Sequence, residues 1–447
     1  MTSTFTAAPE RRGSVFSWLP FLLLGVFFST ALKAVSDGFF LIDDVGMIHR
    51  GVEILQNPAT LLTPDHAGRI HPVASLFWGV LHHFFKLRPF PYYAAWVFFH
   101  GLNVYLLFQL ARRLELSPKA AWVSVLLFAS ASVHHQLVAW IGDGLRVMMV
   151  SFFLSAVLLH LQFLKTQRLR YEAAAYLTWL LALGCMEDAI VLPVILAVID
   201  LLFEKREKSK TGNAVEQSGA GLGRWLRWSV WFGTALILAA ALIIFLGEAV
   251  GRYTQHRLEV LPKSAGVVWT LMHLWIPRVE VLRLAGLTQE VWRWLLPVLL
   301  AGPALFFLGS RVGIVLKKTG ALFFLASVWF LAAIGPFMLR ELTEWKTFPA
   351  PRYFYLPLAG LALWAGAAAR VYWQETLKIK NVRLKNFWMV SAVTAFVYYF
   401  ALNTLTYSLM ADKLDRAWRV EQPAVDFLTR NPQPEALRHY SFDLIES

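Results

Sequence analysis

Apolar residues gather in long runs along this chain, separated by short polar clusters, and the runs recur at about the 20-residue length an α-helix needs to cross hydrocarbon. About eleven such runs can be counted, at 16–36, 91–111, 119–140, 147–164, 172–185, 189–203, 226–247, 292–309, 320–339, 353–371 and 387–409. Two further stretches, 37–90 and 248–290, are too polar to span and too apolar to be free. They predict amphipathic helices lying along the membrane surface. The pattern therefore predicts an all-α polytopic membrane protein with about 11 transmembrane helices and amphipathic helices in its first and fourth external loops. Residues 1–15 form a polar N-terminal segment, 16–409 the membrane domain and 410–447 a polar tail; Glu204 to Gly223, rich in Lys, Gly and Ser, reads as a solvated connector.

Composition agrees and removes other classes. Of 447 residues 57% are hydrophobic and only 16% charged, with a mean hydropathy of +0.52, which excludes an ordinary soluble domain. The single cysteine, Cys185, lies inside an apolar run, so an intrachain disulfide is excluded and a packing role is expected. A net charge of +13 does not point to nucleic acid, because Lys and Arg fall in short clusters between the apolar runs and form no single basic face. Assigning alternate loops to opposite sides collects Arg11 and Arg12, Arg112 to Lys119, Lys165 to Arg170, Lys205 to Arg227, Arg311 to Lys318 and Lys378 to Lys385 on one face. The positive-inside rule makes that face, and the N-terminus, cytoplasmic. The opposite face, exterior to a bacterial inner membrane or facing the lumen of one like the endoplasmic reticulum, receives the acids, most histidines and isolated arginines. External arginines run against the topological rule, and an anionic ligand is the simplest reason for them.

The stretch Phe39-Phe40-Leu41-Ile42-Asp43-Asp44-Val45 sets a carboxylate pair just beyond the outer end of the first run. Two adjacent acids at a membrane edge are costly there, and a carboxylate half withdrawn from water beside other acids gains base strength at working pH. One of Asp43 and Asp44 is expected to act as general base and the other as a positioning group or metal ligand. Gly142-Asp143-Gly144 has the look of a turn, but it falls on the same side as Asp44. Asp143 and Asp44 could share a divalent cation, their oxygen donors suiting Mg²⁺ or Mn²⁺. Glu187-Asp188 joins two apolar runs that reach almost to the pair, which sets these acids at the membrane surface.

Among the histidines of the first external segment, His66 and His71 are candidate substrate contacts; none has the short paired spacing of zinc ligands. Arg252, Arg257, Lys263, Arg278 and Arg283 punctuate the second external segment among Trp269, Trp275 and Trp292. Arginine forks grip phosphate oxygens, and in this setting a lipid phosphate or pyrophosphate is available. Pro351-Arg352-Tyr353-Phe354-Tyr355-Leu356-Pro357 puts an arginine and two tyrosines at the mouth of the tenth run.

An acid pair after the first run, a long first external segment, His100-Gly101-Leu102-Asn103-Val104-Tyr105-Leu106 in the second run, the Glu187-Asp188 hairpin and the Arg352-Tyr353-Phe354-Tyr355-Leu356-Pro357 run together resemble the GT-C superfamily of polyprenyl-phosphate-dependent glycosyltransferases, with the look of its protein O-mannosyltransferase branch. The likeness covers about residues 16–371. It implies that Asp43 or Asp44 is the catalytic acid residue of the first external loop, that Asp143 is a second-loop acid serving metal or acceptor, and that Arg352 and Tyr353 lie near the lipid phosphate, with Glu187 and Asp188 at the substrate. The implied reaction is inverting transfer of a sugar from a polyprenyl-phosphate donor to an acceptor hydroxyl on a protein, glycan or lipid, outside the cytoplasm. Asp44 would deprotonate the acceptor, and Arg352 with Arg252, Arg257 or Lys346 would stabilise the departing phosphate. A membrane transporter or a lipid-linked-glycan flippase is the competing class; it expects charges near mid-span and matching broken helices in two halves.

Overall fold

The structure is a computed structural model that describes residues 19–34, 40, 42–63, 70–131, 134, 137, 140–211, 227–238, 240, 312–341, 351–397, 399–401 and 403–404. These residues are helical, with no strand among them. In chain order the helices are α1 (Leu19–Ala34), α2 (Ile42–Gln56), α3 (Pro72–Phe85), α4 (Pro89–Arg113), α5 (Pro118–Ala129), α6 (Gly144–Thr166), α7 (Leu169–Cys185), α8 (Leu192–Thr211), α9 (227–238), α10 (Val312–Glu341), α11 (Tyr355–Leu377) and α12 (382–397). Among the described residues three helical stretches are long and apolar enough to cross a membrane, Pro89–Arg113, Ile141–Thr166 and Lys317–Ile334.

Helices α4 and α6 form the centre. On α4 pack α5 and α6, and α6 also packs on α7; α11 closes the far side against α5 and α10, and α10 reaches α8. Boundaries follow local chemistry. Pro89 and Pro118 open α4 and α5 where a missing N–H costs nothing, and Ser117 caps α5 through the Ala120 N–H. Arg112 and Arg113 end α4, where their charge meets the negative end of the helix dipole. The bundle interior is filled by large rings, with Trp78, Trp96, Trp179, Trp329, Tyr92 and Tyr93 all buried.

The half-polar segment 37–90 forms helices as its composition predicts. Helices α2 and α3 pack face to face, and their contact depends on Gly51 and Gly79. A Cβ on Gly51 would lie 2.3 Å from the Gly79 nitrogen and 2.5 Å from the Ser75 carbonyl oxygen, so only two bare glycines allow this crossing. Arg50 then holds the following turn through Glu53 (2.7 Å) and the Thr63 carbonyl (2.7 Å).

Two readings are corrected. The connector expected to begin at Glu204 is helical as far as Thr211, where α8 ends. The run 119–140 was expected as a single helix, yet α5 stops at Ala129, where the Ser130 hydroxyl turns back to the Leu126 carbonyl at 2.8 Å. The chain next forms a short 3-10 turn, Ile141–Asp143, that leads into α6. The predicted amphipathic helices of 248–290, the run 292–309 and the tail 410–447 lie outside the described residues.

Toward the other end of α6 sits a second charged group. His160 is fully buried and its two ring nitrogens lie 2.8 Å from Glu172 Oε2 on α7 and 2.8 Å from Asp200 Oδ1 on α8. Arg227 from α9 bonds Asp200 Oδ2 at 2.6 Å, and the Trp231 indole N–H donates to Glu172 Oε1 at 2.9 Å. Each buried charge thus faces an opposite one, the condition for placing any of them in an apolar bundle.

The α2–α3 crossing is open to test. Gly79→Ala should destabilise the protein by about 1–3 kcal/mol, because backbone atoms cannot yield without parting the helices. Gly25→Ala and Gly320→Ala, where an added methyl meets nothing within 4 Å, should be neutral or slightly stabilising in the same thermal unfolding assay in detergent.

Candidate active site

Asp44 stands in the first turn of α2 with 0% of its surface exposed. Helix α2 lies against the Ile141–Asp143 turn. A Cβ on Gly142 would come within 2.9 Å of Asp44 Oδ1 and 3.1 Å of the Trp140 indole nitrogen, so Gly142 is what lets the buried carboxylate approach the turn. Asp143, the next residue, is half-buried and leads into α6. The two acids that the sequence pairs across nearly a hundred residues therefore belong to adjoining elements.

One helical turn on, α6 presents Arg146, which is buried although charged. Its Nη1 donates to Asp188 Oδ2, in the 3-10 turn Glu187–Val191 between α7 and α8, and its guanidinium carbon lies 4.7 Å from the centre of the Tyr353 ring. Tyr353 belongs to the 3-10 turn Pro351–Phe354 that precedes α11. Beside this, His71 at the N-terminus of α3 meets Glu187 Oε2 through Nε2 at 2.9 Å. Four segments far apart in sequence are joined in this way: the α2–α3 pair, the head of α6, the 187–191 turn and the 351–354 turn.

Of the residues singled out from the sequence, Asp44, Asp143, His71, Glu187, Asp188 and Tyr353 fall within this group of contacts. Glu187 and Asp188, expected at the substrate, each hold a protein side chain, His71 and Arg146 respectively. The backbones of Asp43 and Arg352 are placed in α2 and in the 351–354 turn, and their side chains lie outside the described residues. So do His66, Arg252, Arg257 and Lys346. Arg146 was missed. Its signal was the single arginine of a 26-residue helical stretch apolar enough to span, a position where an ionisable residue by itself suggests a role.

Oxygen donors from Asp44 and Asp143 are the kind a hard divalent cation takes. Among the described residues no group of three or more His, Cys, Asp and Glu side chains gathers as a full ligand set. Two carboxylates suit an ion such as Mg²⁺, which keeps one or two carboxylates and completes its shell with water and phosphate oxygens.

Neither a protein-family model nor a curated protein matches this sequence. Solved structures do match in fold. The apo oligosaccharyltransferase of Archaeoglobus fulgidus superposes with a TM-score of 0.50 at 13% identity, over 89% of this chain and 57% of that one. The fold is of the GT-C type. Its apolar spanning helices make this chain a multi-pass integral membrane protein, and it spans a little over half the length of that oligosaccharyltransferase. ArnT from Cupriavidus metallidurans bound to undecaprenyl phosphate aligns over 94% of this chain and 82% of its own, with a TM-score of 0.48 and 12% identity. The archaeal oligosaccharyltransferase AglB from Archaeoglobus fulgidus, in complex with an inhibitory peptide and a dolichol-phosphate, gives 0.47 and 14% over 88% of this chain and 56% of that one.

Removing one member of the Arg146–Asp188 pair leaves the other charge buried and uncompensated. Asp188→Leu should cost about 3–5 kcal/mol of stability, and Arg146→Met with Asp188→Leu should recover most of that loss. Thermal unfolding of the single and double variants reads the difference.

Proposed function

We propose that this protein is an inverting glycosyltransferase that moves a sugar from a polyprenyl-phosphate donor to an acceptor hydroxyl on the non-cytoplasmic face. The observation that carries the reading is the convergence of a wholly buried carboxylate, Asp44, with the Gly142-Asp143 turn at the head of α6, the helix whose Arg146 also receives the turn bearing Arg352. A GT-C-type fold shared with an oligosaccharyltransferase supports it. The Lys and Arg clusters, all falling on the opposite side in the loop alternation, support the face.

In this mechanism Asp44 accepts the proton of the acceptor hydroxyl as its oxygen bonds to the anomeric carbon. The bond from that carbon to the phosphate oxygen breaks on the opposite face, and its electron pair leaves with the polyprenyl phosphate. Arg352 meets the charge growing on that phosphate, the task of a cation fixed before the reaction begins. Tyr353, held over Arg146, and His71, held by Glu187, fix the walls between which the sugar and acceptor lie. A divalent cation, when bound, would be held by Asp44 and Asp143 and would supply positive charge to the phosphate. With a cation at Asp44, Asp43 becomes the proton acceptor. The lipid stays in the bilayer throughout, so the acceptor, whether protein, glycan or lipid, enters from the aqueous side.

Purified protein supplied with polyprenyl-phosphate sugars should release polyprenyl phosphate. Asp44→Asn or Asp43→Asn should slow that release by about 10²-fold or more, the usual worth of a general base, while lipid binding survives. Undiminished turnover in both variants removes the catalytic assignment. Substrate flux across liposomes without any transfer would instead favour a transporter.

A further inference from the structure

The motif His100-Gly101-Leu102-Asn103 has no part in the chemistry above, yet both of its polar side chains are hydrogen-bonded inside the bundle. His100 and Asn103 are three residues apart on one face of α4, and both are buried. His100 Nε2 donates to the Ala129 carbonyl at 3.1 Å, one of the carbonyls left without a helical partner where α5 stops. That bond fixes the proton on Nε2 and leaves Nδ1 to accept from the Tyr355 hydroxyl at 2.6 Å. The Asn103 amide nitrogen gives one hydrogen to the Val147 carbonyl (2.8 Å) and the other to the Tyr355 oxygen (3.0 Å), while its oxygen accepts from Ser151 (2.7 Å).

The position of these bonds matters as much as their number. Val147 follows Arg146, and Tyr355 lies two residues beyond Tyr353. A single asparagine amide therefore spans the two segments whose neighbouring side chains stack, Arg146 against Tyr353. The Tyr355 ring is held independently of its hydroxyl by His134, 4.5 Å between ring centres, and by Phe128 at 5.1 Å.

The geometry points to Tyr355 as a positioning residue that, through His100 and Asn103, sets the Pro351–Phe354 turn against the head of α6. The inference rests on the reading above, in which Arg352 of that turn meets the donor phosphate. Any buried network adds stability; what a merely structural one would not do is lose its effect on phosphate binding once Arg352 is gone.

The test is a double-mutant cycle on the full chain in detergent, with undecaprenyl phosphate as the probe. Arg352→Ala should weaken binding, and Tyr355→Phe should weaken it by about tenfold, the equivalent of one well-placed buried hydrogen bond. The double variant should bind no more weakly than Arg352→Ala alone, because both act on the same contact. Should Tyr355→Phe fail to fold, His100→Asn takes the acceptor away from the other side and is read in the same cycle. Wild-type protein that ignores undecaprenyl phosphate, or binding indifferent to Arg352→Ala, overturns the phosphate site and this inference with it. A clear Arg352 effect beside an indifferent or fully additive Tyr355→Phe overturns the positioning role alone.

Discussion

A guanidinium withdrawn from water at the mouth of an apolar bundle has to be neutralised by the protein itself, and Arg146 is neutralised by two parts of the chain at once. Asp188 supplies the opposite charge and Tyr353 the π-face, so the head of α6, the turn between α7 and α8 and the turn before α11 are drawn to one point. Each turn also sets apolar side chains in the core, Ala189 and Val191 from one and Phe354 from the other. The cost of leaving that one charge unmet adds a direction to this packing, since both turns must face Arg146.

The rest of the site is arranged about this point. The close crossing at Gly51 and Gly79 makes α2 and α3 a single rigid unit, and His71 fastens the unit to Glu187, the neighbour of Asp188. Asp44 is then carried to the Gly142 turn, three to four residues before Arg146 along the chain. Acid and cation are thus placed by helices and short turns, which hold side chains more narrowly than long loops do. The proposed transfer, which needs an acceptor hydroxyl, an anomeric carbon and a phosphate in line, would have use for such rigidity.

Much of this could be read from residue order. The length of the apolar runs gave the spanning helices, the half-polar character of 37–90 foretold α2 and α3, and the shared side of Asp44 and Asp143 foretold their neighbourhood. What could not be read is who satisfies whom. A sequence shows the acids Glu187 and Asp188 and not the His71 and Arg146 that meet them. Arg146 was hidden by its apolar surroundings, and the break at Ala129 by a run in which serines and histidines were averaged with their neighbours. His100 and Asn103 were visible as a motif, but their common partner, Tyr355, is some 250 residues away.

Order of synthesis gives the cluster around His160 a second meaning. His160, Glu172 and Asp200 leave the ribosome well before Arg227, which comes only after α8 has ended at Thr211. Until that arginine arrives Asp200 lacks one of its two partners, His160 alone meeting its carboxylate. The contacts that close the early helices are therefore completed by a residue of a later one, Arg227.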